Sequence, residues 1–382
     1  MKWQSYKLKE VGEVVTGNTP PTTQREYYGT QYKFIKPTDM REGQRYVPIT
    51  EEYYSELAYQ KYRKSLLPVN TPCVVTIGSL GKKMCLTDEP SFTNQAVNAV
   101  IPNENFDGVF LYYCLRTRLP YVKQLDSGTT SGRENVSKSS FSNIVIEAPS
   151  LAIQKRIASI LSAYDNLIEN NNKRIKILEQ MAEILYKEWF VRFRFPGHET
   201  TPLENGIPKG WKIEKIKNCV KRLPFGKTYK EAELEKEGSI IVIDQSTEPF
   251  IGYHNDVAAH QANANNPIIL FGDHSCKFVL MTRDFSLGEN IVPFISYNDE
   301  IVNPYYLFFA THKIIETTEY KRHWGEFVNK KILIPTIDLQ KEFARMSTSI
   351  KSQLEQLLLE NQNLIKQRDL LLPRLMSGKL AV

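Results

Sequence analysis

The stretch LAIQKRIASILSAYDNLIENNNKRIKILEQMAEILYKEWFVRFRF, residues 151–195, constrains the fold most. Ile153, Ile157, Ile160, Tyr164, Leu167, Ile175, Leu178, Ala182, Leu185 and Trp189, with Asn171 as one polar intruder, recur every three or four positions, which is the seam of a coiled-coil helix. Neither Pro nor Gly interrupts it. A helix of roughly 40 residues is about 60 Å long, more than one globular core covers, so it needs a second helix beside it. Residues 338–380 supply one, with the seam Leu339, Phe343, Met346, Ile350, Leu354, Leu357, Asn361, Leu364, Leu371 and Leu375.

The two stretches are tails of a repeated unit. Pro149, Gln154, Lys155 and Ala158 reappear 186 positions later as Pro335, Gln340, Lys341 and Ala344, and Asn171 and Leu185 reappear 190 later as Asn361 and Leu375. Ahead of each tail, WQSYKLKEV at Trp3 matches WKIEKIKNCV at Trp211, and the strand at Phe34 matches that at Ile240. PCVVTIG at Pro72 matches PIILFG at Pro267, and helices near Phe110 and Tyr305 also correspond. The chain therefore reads as globule, long helix, globule, long helix.

Its 382 residues allow about 130 to 150 per globule, enough for two cores. Short strand runs bounded by Gly, Pro, Asn and Asp, mixed with a few short helices, predict α+β globules rather than a doubly wound sheet. The Pro- and Gly-containing stretch 198–210 reads as the linker. No apolar signal core opens the chain and no run suits a membrane span, and five cysteines in no paired spacing argue against a disulfide framework or zinc, so a cytoplasmic protein is expected. A net charge of +6 permits nucleic acid without requiring it.

No catalytic set emerges, and no metal site is expected. Asn303-Pro304-Tyr305-Tyr306 resembles an amino-methyltransferase tetrad, but with Tyr where the second Pro belongs; a helix start with Asn as cap and Pro at the first position explains it. Phe225-Gly226-Lys227-Thr228 ends like a phosphate loop whose first Gly is replaced by Lys221. His254 and His260 are six apart, and His274 and Cys276 stand alone, which is not metal-ligand spacing. Two similar globules held apart by a stiff antiparallel helix pair suit a binder that reads two unlike DNA half-sites across an unread spacer.

Four segments carry a resemblance: Ala148-Pro149-Ser150-Leu151-Ala152-Ile153-Gln154-Lys155-Arg156-Ile157, Trp189-Phe190-Val191-Arg192-Phe193-Arg194-Phe195-Pro196-Gly197-His198-Glu199, Gly206-Ile207-Pro208-Lys209-Gly210-Trp211 and Leu375-Met376-Ser377-Gly378-Lys379-Leu380. In this order they resemble the conserved regions of the specificity (S) subunit of type I restriction-modification systems, over the entire chain. The resemblance implies target-recognition domains at 1–147 and 210–333, a central conserved helix at 148–196, a linker at 197–209 and a distal conserved helix at 334–382. The fold it implies has two similar α+β domains separated by two long antiparallel coiled-coil helices in a pseudo-twofold arrangement. The chain itself is then non-catalytic. Two modification subunits carry S-adenosylmethionine and methylate adenine, two restriction subunits use ATP and Mg, and this chain binds an asymmetric bipartite duplex. The alternative is a duplicated DNA-binding scaffold or regulator without such partners.

Base readout requires polar side chains on loops at the major groove. The expected contacts in the first globule are Thr38, Ser79, Lys82, Lys83, Thr129, Thr130 and Arg133. In the second they are Gln245, Ser246, His254, His274, Lys277, Arg322 and His323. Asn171 and Asn361 either face solvent or meet and fix the helix register. A helix face with Glu169, Asn170, Asn172, Lys173 and Lys176 is expected to dock the modification subunits, and helix length to set the spacer.

Overall fold

The computed structural model describes residues 3–126, 134–316, 319 and 321–382. It divides into two units, Met1–Asn171 with Glu360–Val382, and Asn172–Leu359. The first unit contains β1 (Gln4–Lys7), α1 (Leu8–Val11), β2 (Gly12–Thr16), β3 (Tyr28–Ile35), β4 (Glu52–Tyr54), α2 (Glu56–Tyr62), β5 (Pro72–Val75), β6 (Met84–Leu86), β7 (Ser91–Thr93) and β8 (Val97–Pro102), then α3 (Gly108–Gln124), α4 (Lys138–Ser142) and β9 (Val145–Ala148). Helix α5 (Leu151–Tyr186) follows and ends in the second unit. That unit contains β10 (Leu203–Glu204), β11 (Ile207–Pro208), β12 (Lys212–Lys215), β13 (Val220–Arg222), β14 (Ile240–Ile243), β15 (Gly252–His254), β16 (Ile268–Gly272), β17 (Phe278–Met281), β18 (Phe285–Leu287) and β19 (Ile291–Ser296), then α6 (Pro304–Thr311), α7 (Trp324–Phe327), β20 (Lys331–Ile334) and the start of α8 (Ile337–Met376).

The duplication read from sequence holds at the level of strand pairing. The first unit has sheets β1-β9, β2-β8-β5-β6 and β4-β3-β7; the second has β12-β20, β13-β19-β16-β17 and β15-β14-β18. The four-stranded sheets are antiparallel throughout, and in each three-stranded sheet one pair is parallel, β3 with β7 and β14 with β18. The apolar runs PCVV and IILFG are fully buried as β5 and β16, as strands covered on both faces must be.

The shared residues Gln154 and Gln340 do the same work in each unit. Gln154 Oε1 accepts from the Asp107 N–H at 3.0 Å, and its amide donates to the carbonyls of Pro149 and Asn105 at 2.9 and 3.3 Å. Gln340 Oε1 accepts from the Asn303 N–H at 2.8 Å and its amide donates to Pro335 and Ile301 at 2.8 and 3.1 Å. One buried amide thereby ties the start of a long helix to the cap of α3 or α6 and satisfies main-chain groups that burial would otherwise strand. Asn303 is the expected cap: its Oδ1 accepts from the N–H groups of Tyr305 and Tyr306 at 2.9 and 3.4 Å, with Pro304 at the first helical position.

Each unit also pairs parts of α5 and α8 in opposite directions. In the first, Ile157, Ala158 and Leu161 share a core with Leu372 and Leu375, and further along Asp165 bonds Arg368. In the second, Tyr186 and Phe190 pack on Phe343 with centroids 6.2 and 5.2 Å apart.

Two details differ from expectation. Along the middle of α5 the buried residues are Leu161, Asp165, Ile168 and Asn171, whereas Ile160 and Leu167 are exposed, so the seam runs one residue out of phase with the apolar pattern. The reason is that a carboxylate occupies a seam position, and Arg368, between Leu364 and Leu371 in α8, meets it. The stretch 197–209 is also more than a plain linker. It holds a turn of 3-10 helix and the hairpin β10-β11, whose Asn205-Gly206 corner takes φ of 53° and 81°, the primed turn that this dipeptide favours.

Candidate nucleic-acid interface

In the first unit the loops expected to read bases converge. The turn after β3 holds Thr38, which is exposed, and is closed by the Lys36 N–H donating to the Asp39 carboxylate at 2.7 Å. The β5-β6 turn carries exposed Ser79 and Lys82 and needs left-handed backbone at Gly78 (φ 89°) and Gly81 (φ 71°). Gly78 N–H donates to the Glu134 carbonyl at 3.0 Å and Leu80 N–H to the Glu134 carboxylate at 3.2 Å, which fixes that turn beside residue 134. Thr129, Thr130 and Arg133 lie outside the described residues. Lys83 ties the first two loops together: its Nζ donates to the Pro37 carbonyl at 2.9 Å.

The second unit gathers the counterpart loops. After β14, Ser246 folds back on Asp244, its N–H and Oγ donating to Oδ1 at 2.9 and 2.6 Å. Gln245 Oε1 accepts from the His274 N–H at 3.0 Å, which joins this loop to the β16-β17 turn. Lys277 stands where Lys83 stands, each being the residue whose carbonyl accepts from the end of the preceding strand, Gly272 or Val75. Its Nζ donates to the carbonyls of Asp244 and Glu248 at 3.1 and 2.5 Å, and burial lowers its pKa, with Asp244 and Glu248 opposing. Both lysines therefore position the loops, and their ammonium groups are committed to main-chain carbonyls.

Two of the residues expected at exposed loop positions are buried instead. His254 lies on β15 and is buried, stacked on Tyr229 with centroids 4.1 Å apart and with Nε2 2.9 Å from Ser286 Oγ; burial lowers its pKa. His323 is also buried, with Nε2 3.2 Å from the Glu319 carbonyl, while Asp273 accepts from the N–H groups of His323 and Trp324 at 3.1 and 2.9 Å. An imidazole has an apolar face as well as two nitrogens, and Tyr229 takes that face at His254. Arg322 beside it keeps 79 % of its side chain exposed, with Nε 3.9 Å from Asp273.

Asn171 and Asn361 are both buried, so neither faces solvent. Within the expected docking face, Glu169 is engaged inside the first unit, where Arg45 donates to its two oxygens at 3.0 and 2.9 Å.

Sequence reasoning missed a groove in the first unit. It encloses about 700 Å³ between the end of β2, the end of α2 with the turn after it, and the start of α4. Four cations, Lys61, Arg63, Lys64 and Lys138, and one carboxylate, Glu13, line it. The available signal was KYRKS at Lys61, three cations with a tyrosine among them. In the second unit a cleft of about 350 Å³ at the end of β13 holds Arg222 and Arg322 with Asp273. Lys227 is turned to Asp256 at 2.7 Å, so the loop that ends like a phosphate loop spends its lysine on a carboxylate.

Comparisons with known proteins agree with this arrangement. Residues 1–180 match the family model described as a type I restriction modification DNA specificity domain. The chain is 27 % identical over 421 residues to the type I restriction enzyme MjaIX specificity subunit of Methanocaldococcus jannaschii, covering 100 % of this chain and 94 % of that protein. It is 34 % identical over 175 residues to the type I restriction enzyme HindI specificity subunit of Haemophilus influenzae, covering 44 % of this chain and 38 % of that one. Its fold is similar to the crystal structure of a type I restriction-modification S subunit from M. genitalium, with a TM-score of 0.62 at 16 % identity over 98 % of this chain and 96 % of the other.

Proposed function

We propose that this chain is a specificity subunit of a type I restriction-modification system, as its matches to that family over residues 1–180 and along the whole chain support, and that each unit reads one half of an asymmetric bipartite duplex. The observation that supports this reading is the repeated loop cluster. The loops after β3 and β5 in one unit, and after β14 and β16 in the other, are tied by a lysine in the same place yet carry different tips: Thr38, Ser79 and Lys82 in one unit, Gln245 and Ser246, with Arg322 beside them, in the other. Hydrogen-bond donors and acceptors of different geometry select different base edges, so unlike tips imply unlike half-sites. The recognition domains on this reading are 1–147 and 210–333, with Thr129, Thr130 and Arg133 as further contacts of the first.

On this reading the subunit acts with DNA, modification subunits and restriction subunits, and does not itself catalyse. Two copies of each enzyme subunit, S-adenosylmethionine on the modification subunits, and ATP and Mg on the restriction subunits complete the proposal, with the assembly working in the cytoplasm. Helix length sets the unread spacer, and Asn171 and Asn361 fix the helix register. Exposed Ile160, Leu167, Ile177, Met181 and Ile184 on α5 add apolar area to the polar face offered to the modification subunits. Among the described residues no helix is long and apolar enough to cross a membrane.

The test is reconstitution. Purified modification subunit with S-adenosylmethionine is expected to methylate adenine in duplex DNA only when this chain is added. Equal methylation without the chain would refute the assignment.

A further inference from the structure

The groove in the first unit concentrates uncompensated positive charge. Among the described residues no carboxylate lies within ion-pairing distance of Lys61, Arg63, Lys64 or Lys138, and only Glu13 shares the walls with them. Two of the four are braced on rings: Lys61 Nζ sits 4.3 Å above the Tyr27 ring and donates to its hydroxyl at 2.9 Å, and the Arg63 guanidinium sits 5.8 Å from the Tyr59 ring. Bracing of this kind lowers the side-chain entropy that would be lost on binding an anion. Neutral polar side chains, Thr16, Asn18 and Ser65, line it beside the cations. Asn18 Nδ2 donates to Ser65 Oγ at 3.1 Å, and Asn98 bridges Thr16 and Thr76. A concave wall with several like charges raises the local concentration of anions.

The groove is also in the right place. Thr16 pairs with Asn98, and Val75 with Val97, so β2 and β5 end at the same edge of the sheet. The Val136 N–H donates to the Thr76 carbonyl at 2.8 Å, which sets the chain leading to Lys138 beside the β5-β6 turn with Ser79 and Lys82. Among the described residues the second unit has no equal of it. The segment after β15, residues 255–267, contains neither Lys nor Arg, whereas the segment after β4 contains Lys61, Arg63 and Lys64. Its cleft offers two arginines, one of them drawn toward Asp273.

We propose that this groove is a sequence-independent phosphate site, so that the first unit supplies most of the electrostatic affinity for duplex DNA and the second contributes mainly base readout. The inference rests on the reading of the chain as a DNA-recognition subunit. Each phosphate neutralised contributes about 0.9 to the slope of log K against log salt. In the complex with modification subunits, replacing Arg63, Lys64 and Lys138 with Gln is expected to flatten that slope by about 2.7. The loss should be the same on the target duplex and on a scrambled one, with the methylated sequence unchanged. A milder variant, Lys64→Gln with Lys138→Gln, alters two exposed side chains and is expected to flatten the slope by about 1.8; Arg222→Gln with Arg322→Gln should do less.

A slope that none of the groove substitutions moves overturns the proposal, as does a loss confined to the target duplex or a changed methylated sequence. Loss of modification-subunit binding with an intact slope would make the groove a protein-docking site and overturn it too. A wild-type complex with no preference for its target overturns the reading of the chain instead, and leaves the slope to decide the groove.

Discussion

In the first unit the helix pair adds a buried charge cluster to its apolar core, with Asp165 bonded at 2.5 Å to both Arg368 and Tyr113 and Arg45 clasping Glu169, while in the second it is packed with rings, Tyr186, Trp189 and Phe190 around Phe343. The sheets around them are the same. What stayed alike since duplication is what satisfies main-chain groups: Gln154 and Gln340 at the helix starts, Lys83 and Lys277 between the loops. What diverged between the helices themselves only fills volume or balances charge. A buried polar group answers to a fixed backbone partner, whereas an apolar level can be repacked in many ways.

The largest test of that contrast is at the buried pair. Burial works against the charge of Arg368, but Asp369 and Asp165 more than offset it and raise its pKa. Asp165→Leu alone leaves that guanidinium buried with only the more exposed Asp369 carboxylate and is expected to destabilise the first unit by about 3 kcal/mol, the low end for a broken buried pair. Asp165→Leu with Arg368→Met should recover most of the loss, measured by urea unfolding together with hydrogen exchange along α3 and α5. Strictly additive losses would show that the pair is not what holds the seam.

A smaller effect separates the units by pH. All six histidines fall in the second unit, and burial lowers the pKa of His254, His260 and His312 below the ordinary 6.5. The fold thus favours the neutral ring, so this stabilisation is complete above the ordinary value and is lost as pH falls through the lower, folded-state values. Acidification from about pH 7.5 to about pH 5 should loosen β15, β18 and α6 while β3 and β7 keep their protection in hydrogen exchange. Equal loosening in both units would remove the histidines as the cause.

Much of this was legible in the sequence. Pro149 and Gln154 recur as Pro335 and Gln340 because each copy must solve the same hydrogen-bonding problem, so the repeat showed itself where geometry is strictest. The helix phase did not, because an apolar pattern cannot register that Asp165 and Arg368 occupy seam positions as partners. His254 and His323 were misplaced because residue type says nothing about whether a neighbour such as Tyr229 offers a face to stack on. The groove was missed because Lys61, Arg63 and Lys64, at the end of a short helix and in the turn after it, look like any solvated surface until β2 and α4 turn it into a wall.

The account stands or falls on two unlike readers in one chain, and genome-wide mapping of methyladenine in a host given this chain and its modification partner tests that most directly. It predicts a single split motif, two different short halves at a fixed separation, present only when the chain is expressed. A continuous or palindromic motif, or methylation that does not depend on the chain, would contradict it.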